Sequence, residues 1–250
     1  MEYHILNGMC LYEKFPPQIK GEKVVMNEAL LYGPLGADLF LEEFWKIRAD
    51  FWQVSLNDYK KKTVLPLDNL TKAKKEDTIL FWFGTDLFCQ INIWFLLDFI
   101  SQKRIVSKIG IIYPPAYPSE ETFGHYPATF LANGQYELVY LKEEEIKMAI
   151  SLWNLCKNAD IEGLSNLNVL NSVGFPMITE SINMWVALFP KEGKGIAQQK
   201  VEELIQGGVD NFQELFKAFS LFFPNLGMGD NQVFESVSYT HLTLPTNREV

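Results

Sequence analysis

The chain has 250 residues, 48% of them hydrophobic and 14% aromatic, which is enough apolar material for a large globular core in one or two domains. A net charge of -9 and a pI near 4.9 exclude broad phosphate-backbone binding, which depends on Lys and Arg displacing counterions. Three cysteines without paired spacing (Cys10, Cys89, Cys156) exclude a disulfide scaffold. Because MEYHILNGMC also lacks a basic n-region and a long apolar h-region, a reduced, cytoplasmic protein is predicted.

Residues 3–6 (YHIL) predict a short strand that breaks at Asn7-Gly8, and residues 10–15 a helix ended by Pro16-Pro17. After Gly21, the VVM centre of residues 22–26 predicts a second strand, followed by Glu28 and the turn pair Gly33-Pro34. A helix is predicted over 38–54, with Leu39, Phe40, Phe44, Ile47 and Phe51 on its apolar face. Between Lys46 and Lys75, eight basic residues (Lys46, Arg48, Lys60, Lys61, Lys62, Lys72, Lys74, Lys75) outnumber three acidic ones (Asp50, Asp58, Asp68). This stretch is either a solvated connecting face or a contact for an anionic partner. Within it, 60–77 reads as polar and irregular, with a short helix near 67–74.

Residues 78–100, TILFWFGTDLFCQINIWFLLDFI, approach the roughly 20 residues that a membrane helix requires. Gly84, Thr85, Asp86, Gln90 and Asn92 fall in the middle, however, and a mid-span Asp alone costs about 2.5 to 3.5 kcal/mol on insertion scales. The stretch therefore reads as a buried strand over 78–83, a tight turn, and an apolar helix over 86–101 capped by Thr85 or Asp86. Residues 108–113 (KIGIIY) predict a fourth strand.

Strands alternating with helices predict an α/β domain over 1–115, three-layered on a mainly parallel sheet of the Rossmann-like or flavodoxin-like kind. Pro114, Pro115 and Pro118 mark a change of texture, and 116–141 reads as a connecting segment with an edge strand over 136–140. From Lys142 the periodicity is helical, over 143–156, 159–167, 175–189, 196–206 and 211–222, with a further helix starting at Asp230. These form an all-helical C-terminal domain over 142–236. Residues 237–242 (VSYTHL) back-translate as GTC-TCT-TAT-ACA-CAT-CTG, which resembles the transposase-end adapter of sequencing libraries. Residues 237–250 are therefore expected to be a non-native tail, and His241 carries no function.

The motifs HILNG (4–8), NEALLYGPL (27–35), FWKIRADF (44–51) and LFWFGTDLFCQINIWFLLDFI (80–100) resemble the bacterial family catalogued as domain of unknown function 1835. PMITESINMWVALFP (176–190), ELFKAF (214–219) and LGMGDNQVFE (226–235) resemble the helical region that usually follows it. The resemblance covers nearly all of 1–236 and implies no particular activity. The family commonly has Asp directly after Asn-Gly, where this chain has Met9, so a carboxylate in the first loop is not expected here.

In an open α/β sheet, ligands sit beyond the carboxyl ends of the strands, near the point where strand order reverses. The strand ends offer Asn7 and Gly8 after the first, Glu28 after the second, and Thr85 and Asp86 after the third. Gln90 lies one helical turn beyond Asp86 on the same face, and Arg48 is placed to neutralise a carboxylate or to bind an anion bidentately. Each has a structural alternative. Asp86 is a helix cap, Asn7-Gly8 a turn, Glu28 and Arg48 an ion pair, and Gln90 a buried amide bonded to backbone.

No Walker-type loop, G-x-G-x-x-G, H-E-x-x-H or G-x-S-x-G occurs, and no catalytic residue or cofactor is assigned. His4 reads as a satisfied strand residue, His125 is isolated, and no metal site is predicted. Cys89, in an apolar helix, reads as an inert thiol. Glu28 and Asp86 form an acid/base pair only if the fold brings them together.

The leading expectation is a cytoplasmic protein that binds a small polar or anionic, nucleotide-like ligand at the rim formed by Asn7, Gly8, Glu28, Arg48, Asp86 and Gln90. The alternative is a regulatory protein that contacts a protein partner through a helix-turn-helix-like or winged-helix-like C-terminal module. Lys191 to Glu235 carries four basic and seven acidic residues, so nucleic acid is not an expected partner.

Overall fold

Five strands form one sheet in the computed structural model, which describes residues 1–36, 41–115, 123–134 and 136–238. They are β1 (Glu2–Asn7), β2 (Glu22–Met26), β3 (Thr78–Trp82), β4 (Lys108–Tyr113) and β5 (Glu137–Tyr140). Their spatial order is β2-β1-β3-β4-β5; the first four are parallel, and β5 is the antiparallel edge that sequence placed over 136–140. Side chains alternate across the sheet, and both faces are covered. Ile5, Val24, Ile79, Phe81 and Ile111 join the larger cluster. Leu6, Leu80, Trp82 and Ile112 join a smaller one with Leu11, Phe15, Phe123 and Leu131.

The helices are α1 (Met9–Lys14), α2 (Leu41–Phe51), α3 (Leu56–Tyr59), α4 (Leu65–Asp68), α5 (Leu87–Gln102), α6 (Ala128–Ala132), α7 (Glu143–Lys157), α8 (Ile161–Asn166), α9 (Ile178–Leu188), α10 (Ile196–Gln206), α11 (Phe212–Phe222) and α12 (Asp230–Ser238). α5 is buried around nearly its whole circumference because the sheet lies on one side and α7 and α9 on others, so it needs apolar residues on every face. The larger cluster runs from Tyr3 to Val233, so the C-terminal helices share their core with one face of the sheet. Among the described residues no helix is long and apolar enough to cross a membrane. No strand follows β5 among them either, so the wing of a winged-helix unit is absent there.

The connecting segment expected over 116–141 also holds the short helix α6, and two further segments depart from the sequence expectation. The stretch predicted to be irregular, with a helix only near 67–74, is helical from Leu56 to Lys72: α3, a π-helical turn (Lys60–Val64), α4 and a 3-10 turn (Asn69–Lys72). The three-lysine run and Pro66 hid it. Ser55 caps the start by accepting from Asp58 N–H, and Pro66 falls at the beginning of α4, where a missing N–H is tolerated. The π turn delays the buried stripe, which runs Tyr59, Val64, Leu67, Leu70. In α2 the interior face is Phe44, Trp45, Arg48 and Ala49, so Arg48 points inward while Ile47 is only partly buried. The predicted start of that helix at Asp38, Leu39 and Phe40 lies outside the described residues, as do 116–122 and 239–250 of the predicted connection and tail.

His4 is fully engaged beneath the sheet. Its Nδ1 accepts from Trp82 Nε1–H at 3.0 Å, which leaves Nε2–H to donate to Lys20 O at 2.9 Å. Burial holds its pKa below the ordinary histidine value, so the ring is neutral.

Candidate functional site

Strand order reverses at β1, whose neighbours β2 and β3 lead to different surroundings at the carboxyl end of the sheet. On the β2 side lies a cavity of about 500 Å³, within the range of small-molecule sites. Asn7, Gly8, Met9 and Cys10 form one wall, Asn27 and Glu28 another, and Trp52, Asp58, Tyr59, Lys62 and Thr63 the side made by the residue after α2, the end of α3 and the π turn. Gly8 is essential to this wall. Its φ of 87° is in the glycine region, its N–H bonds Leu6 O and Met26 O, and a Cβ there would meet only open space.

Glu28 is held from four directions. Its Oε1 accepts from Arg48 Nη2 (2.6 Å), Trp52 Nε1 (2.9 Å) and Ala29 N–H (2.8 Å), and its Oε2 from Tyr59 O–H. Burial and the Glu28 charge push the Tyr59 phenol far above its ordinary range, so Tyr59 is a fixed donor. Arg48 sits behind Glu28, completely buried; it also bonds Tyr32 O (2.6 Å), Pro34 O (3.2 Å) and Ala29 O (3.1 Å) and stacks on Phe51 and Trp52. It does not line the cavity. A buried ion pair of this kind fixes geometry; removing one partner leaves an uncompensated charge. The pair thus locks Trp52 and Tyr59 as a rigid wall.

On the β3 side the strand ends are covered by the chain itself. Asp86 is the N-cap of α5 and accepts from Cys89 N–H at 2.9 Å. Leu87 N–H donates to Asn225 O (2.9 Å), Phe88 N–H to Leu226 O (3.2 Å) and Gln90 N–H to Asp86 O (3.0 Å), so all four first-turn donors of α5 are satisfied internally. The 225–229 loop therefore occupies the place where a helix terminus would otherwise bind an anion. Gly227, at φ 70°, permits the contact, since a Cβ there would lie 2.1 Å from Asp86 Oδ1. A smaller space of about 380 Å³ remains, lined by Asn7, Gly84, Asp86, Phe88, Gly227 and Gln232. Burial raises the Asp86 pKa, and burial together with Asp86 raises that of Cys89 well above the usual thiol value.

Of the six candidate residues, Asn7, Gly8 and Glu28 come together at the open cavity, and Asn7 also borders the smaller space at Asp86. Glu28 and Asp86 line different spaces. Gln90 is interior, its Nε2 donating to Gly84 O at 3.1 Å, and its Oε1 has no partner among the described residues. Asn92 escaped selection, yet it ties the site together: its Nδ2 donates to Glu28 O (3.1 Å) and Asn7 Oδ1 (3.4 Å), and its Oδ1 accepts from Leu30 N–H (3.4 Å). Its signal was an amide inside an otherwise apolar helix, the same signal that singled out Gln90. Tyr59 and Trp52 had no such mark, and Lys62 stood out only as one of the eight basic residues between Lys46 and Lys75. Among the described residues no cluster of His, Cys, Asp and Glu is arranged to hold a metal.

Beside the open cavity, sharing Met9 and Lys62 with it, runs a groove of about 690 Å³ along β2 and α4, bordered by four lysines, Lys23, Lys61, Lys62 and Lys72, and by two carboxylates, Glu22 and Asp68. No family model, curated protein or solved structure matches this chain.

Proposed function

We propose that the protein binds a small, ring-bearing anion of nucleotide type in the cavity at the ends of β1 and β2. The observation that carries this reading is the joining of that cavity to the lysine-bordered groove through Lys62. The aromatic wall of Trp52 and Tyr59 suits a planar ring, and Lys62 suits the anionic end. The expectation narrows accordingly: Asn7, Gly8 and Glu28 shape the pocket, Arg48 positions Glu28, and Asp86 and Gln90 support α5. The reading keeps the resemblance to the bacterial domain of unknown function 1835 and a cytoplasmic setting, to which three free cysteines are suited.

The test is calorimetry and thermal shift on the intact chain with adenosine, AMP, ADP and ATP. Phosphorylated ligands are expected to raise Tm where adenosine does not, and Lys62→Glu to abolish the difference without changing the melting of the free protein. A folded sample that none of these nucleotides stabilises overturns the reading.

A further inference from the structure

We propose that the chain has a second ligand site, for an amphipathic carboxylate, in a cavity of about 620 Å³ that shares no described lining residue with the strand-end cavity. It lies where three segments meet: Leu30 and Leu31 after β2, Lys157 at the end of α7, and Trp185, Leu188 and Lys191 at the end of α9 and just beyond it. Its size is that of a site for a drug-sized molecule, and Leu30, Leu31, Leu35, Leu188, Trp185 and Phe189 give it apolar walls between glycines and two lysines.

Two features decide the chemistry of the occupant. Trp185 is 4% exposed, and its indole Nε1–H has no acceptor among the described residues. Trp82 Nε1–H is answered by His4 and Trp52 Nε1–H by Glu28, whereas Trp94 Nε1–H and Arg48 Nε–H, like that of Trp185, have no acceptor among the described residues. Of these three, Trp185 alone lines one of the four cavities described, and an open donor beside a cavity marks where an acceptor belongs. At the same cavity stand Lys191 and Lys157, the latter close enough to Asp98 for its charge to act on that carboxyl; neither forms an ion pair among the described residues. A carboxylate answers both needs, with one oxygen for the indole and a negative charge for the lysines. The leucine walls accept its hydrocarbon part. A neutral alcohol meets the first need only, and an unsubstituted phosphate leaves the apolar walls uncovered.

Titration calorimetry of the intact chain with decanoate and with 1-decanol tests this. Decanoate is expected to bind one per chain, about tenfold more tightly than decanol, as befits a hydrogen bond to a charged group. Trp185→Phe keeps the ring and removes the donor; Lys157→Ala with Lys191→Ala changes the rim. Each is expected to weaken decanoate by about tenfold, the double variant bringing it to the level of decanol. Should Trp185→Phe fail to fold, the lysine variant decides. Absence of decanoate binding by folded protein, or binding left unchanged by these substitutions, overturns the proposal. Loss of decanoate binding in Lys62→Glu but not in the Lys157/Lys191 variant also overturns it, because that places the ligand at the strand ends.

Discussion

On the β2 side of β1 the strand ends open into a cavity of about 500 Å³, whereas on the β3 side the 225–229 loop rests on them and takes up two amides of α5. Both regions carry a buried carboxylate, but the two are handled differently. Glu28 is matched by a guanidinium and three neutral donors, while Asp86 has amides and no cation among the described residues. Pairing makes Glu28 a charged anchor for a rigid wall. Burial without a cation makes Asp86 a cap whose charge is disfavoured. Two positions that look equivalent in a strand-turn-helix pattern thus serve different ends, the wall of an open cavity and a sealed joint to the C-terminal helices.

The largest break in this comparison is expected from Arg48→Met, which leaves Glu28 buried without its cation and costs about 3 to 5 kcal/mol in urea denaturation. Adding Glu28→Gln should recover part of the loss, since the stranded charge is then gone. Next comes Gly227→Val, which combines a left-handed backbone with a Cβ against Asp86. A cost of about 1 to 3 kcal/mol is expected, with faster hydrogen exchange at the Leu87 and Phe88 amides. If those two amides already exchange quickly in the unaltered protein, the β3 side is not sealed and the contrast collapses.

Asp86→Ala should cost about 0.5 to 2 kcal/mol through the lost cap, and Asp86→Asn much less, because Asn caps comparably. The two are separated by pH. With a folded pKa raised above its unfolded value, Asp86 binds more protons in the native state, so its contribution is full below the ordinary carboxylate range and declines as pH rises through it. Asp86→Asn removes that decline, and parallel pH–stability curves for the two proteins would contradict a raised Asp86 pKa. The smallest effect on stability is expected for Lys62→Glu, at an exposed position; it leaves urea denaturation unchanged while removing anion binding at the open side.

Much of this was legible in the chain before its fold. Asp86 as a cap after a buried strand, β4 at 108–113 and α10 at 196–206 follow from local patterns whose period and punctuation are short-range. The helical run 56–72 was not, because its lysines and proline are locally unfavourable and only burial of Tyr59, Val64, Leu67 and Leu70 against neighbours offsets them. Arg48 and Glu28 were both visible as candidates. Their distribution between ligand and partner was not, because a guanidinium reads the same from sequence whether it faces solvent or a carboxylate.

By itself, then, the sequence determined the order of the five strands and of the longer helices, the cap at Asp86, the turn at Asn7-Gly8 and the apolar character of α5, all set by neighbours within a few residues. Tertiary structure alone decided that Arg48 lies behind Glu28, that Asn92 bridges Asn7 and Glu28, and that the 225–229 loop seals α5. These contacts join residues far apart in the chain, and their energies come from burial and charge pairing that exist only once the sheet and the C-terminal helices have closed on one core.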